Sequence, residues 1–209
     1  MCAICGWINE KESLSSKQEL FKEMLDLMNC RGKDSTGHHL EEHAMLGHKR
    51  LAIIDVEKGS QPMYHEDYAI VYNGEIYNTE EIKNILKERG YKFYTTCDTE
   101  VVLKGYVEFK EKILDMLEGI FAFCIYDEET KEVFLARDRF GIKPLYYCYK
   151  DNNFLFSSMI KPILKSKVIK PYLSKESLGE ILALRTLKKA RKWCIYRYKW
   201  IKSCTLFKI

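Results

Sequence analysis

The chain has 209 residues, room for one domain or one and a fraction at roughly 100–200 residues each, and enough length to bury a core without disulfide or metal staples. At 46% hydrophobic and 31% charged residues it cannot be a disordered chain, and with no run of 18 or more apolar residues it holds no membrane-spanning helix. The net charge of +4 hides an asymmetry: nine basic and no acidic residues fall in positions 185–209, leaving 25 basic against 30 acidic groups in the first 184 residues.

In chain order, Ala3 to Asn9 reads as a strand, and Ser16 to Asn29, with Leu20, Met24, Leu27 and Met28 at helical spacing, reads as a helix. Arg31 to Gly37 is a polar loop. Ala44 to Asp55 reads as one or two strands, and Tyr68 to Tyr72 as another. Asn78 with Glu81 three residues on predicts a capping box ahead of a helix carrying Ile82, Ile85 and Leu86. Asp98 or Thr99 caps a second helix with Val102, Tyr106, Phe109 and Ile113 on one side. Two hairpins follow, Phe121–Tyr126 with Val133–Ala136, and Leu145–Tyr149 with Phe154–Ser157. Hairpins imply antiparallel pairing, so the expected class is α+β, with sheets packed face to face and helices outside.

The start, Met1-Cys2-Ala3-Ile4-Cys5-Gly6-Trp7, lacks the basic leader and long apolar stretch of a signal peptide, so a cytoplasmic location with reduced thiols is expected. The eight cysteines therefore predict no disulfide framework. Cys2 and Cys5 have a C-x-x-C spacing, but no second close pair follows, and no metal site is expected.

Cys2 stands behind the initiator methionine, where a small second residue permits removal of Met1. A thiol and a free α-amine would then share one residue. Such an amine titrates near 7.7–8.0, and its neutral form can take the thiol proton without a histidine. Arg50, just before an apolar stretch, can present its planar fork to a carboxylate, although a surface ion pair is the commoner use. Asn73-Gly74 is ordinarily a tight hairpin turn, yet an Asn amide and a Gly N–H can also hold an oxyanion. Asp98 is a candidate acceptor for an ammonium group as well as a cap.

Taken in order, Met1-Cys2-Ala3-Ile4, Arg31-Gly32-Lys33-Asp34-Ser35-Thr36-Gly37, Arg50-Leu51-Ala52-Ile53-Ile54-Asp55, Gly59-Ser60-Gln61-Pro62-Met63, Tyr72-Asn73-Gly74-Glu75-Ile76-Tyr77-Asn78, Asp98-Thr99-Glu100-Val101-Val102, Gly119-Ile120-Phe121-Ala122-Phe123 and Ala136-Arg137-Asp138-Arg139-Phe140-Gly141-Ile142-Lys143-Pro144 carry a resemblance. The set resembles the glutaminase domain of glutamine-hydrolysing asparagine synthetases, a class II glutamine amidotransferase. The resemblance implies an N-terminal-nucleophile (Ntn) hydrolase fold, a four-layer αββα sandwich of antiparallel sheets. It implies Cys2 as nucleophile with its own α-amine as base, and Asn73 with the Gly74 N–H as oxyanion hole. It further implies Arg50 on the glutamine α-carboxylate, helped by the backbone from Leu51 through Ile53 and Ile54, and Glu75 and Asp98 on the α-ammonium.

Several positions depart from the family pattern: Ala3 for Gly, Cys30 for His, Lys33 for Pro, Lys49 for Arg or Glu, and Met159 for Glu. Cys30 and Lys33 are expected near the pocket, and Met159 on the surface facing a partner domain. The family continues into a synthetase domain with a Ser-Gly-Gly-x-Asp-Ser loop that cradles pyrophosphate, and no such stretch occurs in this sequence. The expected organisation is a glutaminase domain over 1–170, the start of a linker over 171–184, and a basic tail over 185–209 that is either genuine sequence or the product of a shifted reading frame. The expected partners are L-glutamine and a synthetase domain or subunit supplied separately, with no membrane and no nucleic acid. No cofactor is expected in this chain, ATP and magnesium belonging to the synthetase half. The alternative is a non-catalytic remnant or binding module whose basic tail contacts nucleic acid.

Overall fold

The computed structural model describes residues 1–52, 55–171 and the backbone of 199–200. Ile53, Ile54, the expected linker beyond Pro171 and the rest of the basic tail lie outside the described residues.

Among the described residues ten strands form two antiparallel sheets. The six-stranded sheet has the order β10-β8-β9-β1-β3-β2, built from β1 (Ala3–Asn9), β2 (Ser35–Leu40), β3 (Ala44–Arg50), β8 (Tyr146–Lys150), β9 (Asn153–Ser157) and a two-residue edge strand β10 (Lys199–Trp200). The four-stranded sheet runs β4-β5-β6-β7, from β4 (Met63–His65), β5 (Tyr68–Ile76), β6 (Gly119–Asp127) and β7 (Val133–Arg137).

Strand alternation assigns the layers. In β1, Ala3, Cys5 and Trp7 pack with Phe21, Met24 and Leu25 of α1 (Gln18–Asp26) and Ile163 of α5 (Ile160–Lys165), while Ile4 and Ile8 face the other sheet. In β5, Ala69 and Val71 face the six-stranded sheet. On its other face Ile70, Tyr72 and Ile76 pack with Ile82 and Leu86 of α2 (Thr79–Glu88), Val102 and Tyr106 of α3 (Asp98–Phe109) and Leu114 of α4 (Ile113–Met116). The central seam, with Leu46, Val71, Ala122, Leu135 and Phe156, excludes water from both sheets at once. Strands covered on two sides read as continuous apolar runs, and β1 and β7 are buried along their whole lengths. The result is helix–sheet–sheet–helix, as the sequence predicts.

Four local expectations are corrected. The predicted first helix starts as a 3-10 turn, Ser15–Lys17, and its α-helical part ends at Asp26. Asn78 makes no side-chain cap to α2; its amide donates to Met116 O and its Oδ1 accepts from Glu118 N, tying the helix entry to the α4–β6 connection. Asp98 is the first helical residue of α3 rather than its cap. Asn73-Gly74-Glu75 neither turns nor ends a strand: β5 continues through it to Ile76, pairing Asn73 with Ala122 and Gly74 with Phe121. The chain does not reverse at Asn73-Gly74, since β6 offers a partner along the whole of β5.

Candidate active site at the seam of the two sheets

The starts and ends of β1, β3 and β5 meet at one edge of the sandwich. There they enclose a cavity of ≈ 180 Å³, about the liquid volume of six waters, which suits one small molecule. Cys2, Arg50, Leu51, Asn73, Gly74 and Asp98 all line it, with Glu75 at its exposed side. Residues spread over nearly a hundred positions of sequence thus converge.

Cys2 lies one residue ahead of β1. Its Sγ accepts from the Leu51 N–H at 3.3 Å and reaches Leu51 O at 3.5 Å. Its carbonyl accepts from Arg31 Nε at 3.1 Å, which fixes the start of the chain. Met1 is exposed, its amine donating to Arg31 O at 3.2 Å, so removal of that residue would break little packing. Cys5 points away on the opposite face of β1, as a spacing of three along a strand requires, and burial pushes its thiol up to about 12. Cys97 also lines the cavity, but burial and the charges of Asp55 and Asp98 push its thiol up to about 11, which keeps it protonated and unreactive.

Asn73 is 2% exposed, and its Nδ2 has no hydrogen-bond partner among the described residues. A buried amide donor without an acceptor is costly, and in an enzyme it marks a place kept for a ligand atom. At Gly74 an added Cβ would stand 2.7 Å from Ile120 O and from the Tyr72 ring, so the backbone beside Asn73 is open to the cavity only as glycine.

Around these groups runs a set of buried hydrogen bonds. Tyr72 Oη donates to Asp98 Oδ2 at 2.6 Å, and the Ile76 N–H donates to the same oxygen at 3.2 Å. Burial raises the Asp98 carboxyl, and these donors pull it back toward ionisation. Burial and the Asp98 charge together hold the Tyr72 phenol well above its ordinary value, so it stays a donor. Gln61 Oε1 accepts from the Tyr72 N–H at 2.6 Å and its Nε2 donates to Thr99 Oγ1 at 3.2 Å, joining β5 to α3. Arg50 donates to Val56 O at 2.9 Å and Asp55 O at 2.6 Å, so the guanidinium is held by the loop that follows β3. The Asp55 carboxylate in turn accepts from Thr96 N at 2.8 Å, tying that loop to the entry of α3. His48, buried on β3, has its Nε2 at 3.1 Å from Tyr72 O across the seam, and burial lowers it to about 3, so it is neutral.

Sequence reasoning assigned no role to Tyr72, Gln61 or His48, although the first two stand inside motifs it singled out. Their signal is a polar residue in an otherwise apolar strand or beside one. Cys30 and Lys33 do not line the cavity; with Asn29 they border a separate open depression. Cys30 and Met159 instead touch each other, sulfur to sulfur, at 3.9 Å. The two positions expected to depart from the family pattern, Cys30 and Met159, thus share one contact. Lys49, also a departure, is buried and donates to Asp26 Oδ1 at 3.0 Å and Thr36 Oγ1 at 2.7 Å, a structural clamp between α1 and β2.

The family model of the glutamine amidotransferase domain matches residues 1–203. Among solved structures, a glutamine phosphoribosylpyrophosphate amidotransferase from Bacillus subtilis, in complex with ADP and GMP, aligns with a TM-score of 0.65 at 20% identity, over 79% of this chain and 44% of that one. That likeness shows the Ntn amidotransferase fold. This chain belongs to the glutamine amidotransferase domain family.

Within that class it is homologous to the glutaminase region of glutamine-hydrolysing asparagine synthetases. It is 44% identical over 188 residues to asparagine synthetase [glutamine-hydrolyzing] 3 of Bacillus subtilis (strain 168), covering 88% of this chain and 31% of that protein. It is 37% identical over 158 residues to asparagine synthetase B of Escherichia coli (strain K12), covering 75% of this chain and 28% of that protein. The chain spans less than a third of the length of these relatives.

Proposed function

We propose that this chain hydrolyses L-glutamine to glutamate and ammonia, as the glutaminase half of an asparagine-forming system. The observation that carries it is the pairing, in one small cavity, of the Cys2 thiol with the buried, partnerless Nδ2 of Asn73. With Met1 removed, the neutral α-amine of Cys2 takes the thiol proton, and the sulfur attacks the side-chain carbonyl carbon of glutamine. The charge that develops on the carbonyl oxygen is met by Asn73 Nδ2 and the Gly74 N–H. Collapse breaks the C–N bond, the protonated amine gives its proton to the departing nitrogen, and ammonia leaves a thioester on Cys2. Water, deprotonated by the same amine, then releases glutamate. Arg50 takes the substrate α-carboxylate, with Leu51, Ile53 and Ile54 supplying backbone groups, while Glu75 and Asp98 take the α-ammonium.

In this reading the half-reaction draws only on groups of the polypeptide itself, main chain and side chain. ATP and magnesium are proposed to serve a synthetase domain or separate subunit that amidates aspartate. In this reading residues 1–170 form the glutaminase unit, 171–184 start a linker and 185–209 are of frame-shifted origin. Finding no synthetase motif downstream in the other reading frames would overturn the last point.

The test is intact mass, then ammonia release from glutamine, then labelling by a diazo-ketone glutamine mimic. The expected result is a chain lacking Met1, labelled on Cys2, with activity abolished in Cys2→Ala. A processed, folded protein whose Cys2 stays unlabelled would refute the assignment.

A further inference from the structure

The end of the sandwich away from the cavity carries a cluster that glutamine hydrolysis does not use. His39 lies on β2, Glu41 just beyond its end, and Glu128 just beyond β6. His39 Nε2 stands 3.7 Å from Glu41 Oε1 and 3.8 Å from Glu128 Oε1, and one ligand atom from each of the three lies within 4.8 Å of the others. The His39 side chain is 10% exposed, and its Nε2 is buried with no hydrogen-bond partner among the described residues, both carboxylates lying beyond hydrogen-bond reach. Its other nitrogen, Nδ1, is 3.4 Å from Tyr64 Oη, and its ring packs at 5.7 Å from Tyr64 and 5.9 Å from Tyr126, so its direction is set by the surrounding rings. Glu41 spends its second oxygen, Oε2, on Tyr126 Oη at 3.1 Å and Lys131 Nζ at 3.3 Å, which leaves Oε1 turned toward the imidazole.

We propose that His39, Glu41 and Glu128 form a binding site for a divalent transition-metal ion of the zinc type, bracing one sheet against the other. A buried imidazole nitrogen without a partner, facing two carboxylates against one lysine, is a donor set of the kind zinc takes. Bonds of about 2.0–2.2 Å place tetrahedral ligand atoms roughly 3.4 Å apart, so the two His39 separations need to shorten by only a few tenths of an ångström. Metal ligation needs the tautomer with Nδ1–H donating to Tyr64 Oη, an orientation that frees the Nε2 lone pair. Three protein ligands leave the fourth position to water. The site is remote from the cavity: His39 is four residues along β2 from the partner of Arg50, roughly 13 Å, and Glu128 is six residues along from the partner of Asn73, roughly 20 Å. Its role is therefore structural, with β2 of the six-stranded sheet clipped to the end of β6 in the other.

The metal-free full chain is titrated with Zn²⁺ by calorimetry and with Co²⁺ by absorption, both also in the Cys2→Ala background. One equivalent should bind, the Co²⁺ spectrum should lack thiolate charge transfer, and Zn²⁺ should raise Tm. His39→Gln and Glu128→Gln should each weaken binding at least tenfold and abolish the Tm rise, while His38→Gln on the opposite face of β2 should leave both intact. Glu128→Gln alters a side chain that is 34% exposed, so it stays informative should His39→Gln fail to fold. Absence of saturable binding, a thiolate band, or affinity unchanged in both variants would overturn the site. None of these readings depends on glutamine hydrolysis.

Discussion

Asn73→Ala separates catalysis from stability. Among the described residues the buried Asn73 Nδ2 has no protein acceptor, and a donor left so costs about 1–3 kcal/mol. Removing the amide abolishes that cost and opens a small void in its place, and the two effects oppose each other. The net change in unfolding free energy should therefore stay within about 1 kcal/mol, well under the ~2–5 kcal/mol typical of deleting a packed core side chain. In the proposed transition state the same Nδ2 gains an acceptor, the oxyanion. Losing one such donor costs about 2.7–4 kcal/mol, a fall in kcat of about 10²–10³ with KM little changed. The assay is ammonia release at saturating glutamine, run beside a urea titration of the same preparation. A loss of less than tenfold in kcat, with Cys2→Ala inactive, would remove Asn73 from the oxyanion hole. A destabilisation above about 3 kcal/mol would show instead that the amide holds the fold.

Other perturbations bear on the same frame. His48 is lowered to about 3 by burial, so between pH 6.5 and 3 the unfolded chain binds a proton there that the native one does not, and stability falls as pH drops by up to about 1.4 kcal/mol per unit; urea midpoints of His48→Gln should show a shallower slope, and an unchanged slope would mean another group sets it. Tyr72→Phe removes a donor from the buried Asp98 carboxylate and should cost about 1.5–3 kcal/mol while raising KM more than it lowers kcat; equal loss in kcat and kcat/KM would place the phenol on the reacting atoms instead. Ala122→Val enlarges a fully buried residue between the sheets, paired with Asn73, and should cost about 1–3 kcal/mol and lower kcat without touching the cavity; a lowered Tm with unchanged kcat would show that the seam does not set the site geometry.

Much of this architecture is legible in the sequence because two-sided burial leaves a signature. β1 and β6 are apolar on both faces and bounded by polar turns, and the hairpins of β6–β7 and β8–β9 follow from their turn residues. The failures have physical causes. Asn-Gly is a turn pair when the chain reverses, and here it does not, because β6 supplies partners for all nine residues of β5. Asn78 was read as a cap by spacing, but its amide found Met116 and Glu118 across a connection that local sequence does not encode. β4, three residues with no periodicity to detect, exists only because the edge of β5 is there to pair with. Cysteines at 2 and 5 look like half a metal site by spacing, yet a strand sends them to opposite faces. The His39 cluster leaves no linear trace at all, since Glu128 lies 89 positions from His39 and comes from the other sheet.

The location of the cavity follows from the same layering. Cys2 and Arg50 come from one sheet, and Tyr72, Asn73 and Gly74 from the other. Neither sheet alone holds both the proposed nucleophile and the proposed oxyanion donor. The distance between them is set by the side chains that fill the seam and by His48, whose ring reaches from β3 to the carbonyl of Tyr72 beside the donor. Close-packed interiors transmit displacement rather than absorb it, so a shift of the sheets becomes a shift of the reacting atoms. A neutral, buried histidine is a suitable spacer: it carries a hydrogen bond across the seam and adds no charge that would compete for the carboxylate or ammonium of the proposed substrate. The polar residues that local reading passed over are thus the ones that convert two packed sheets into one reaction geometry.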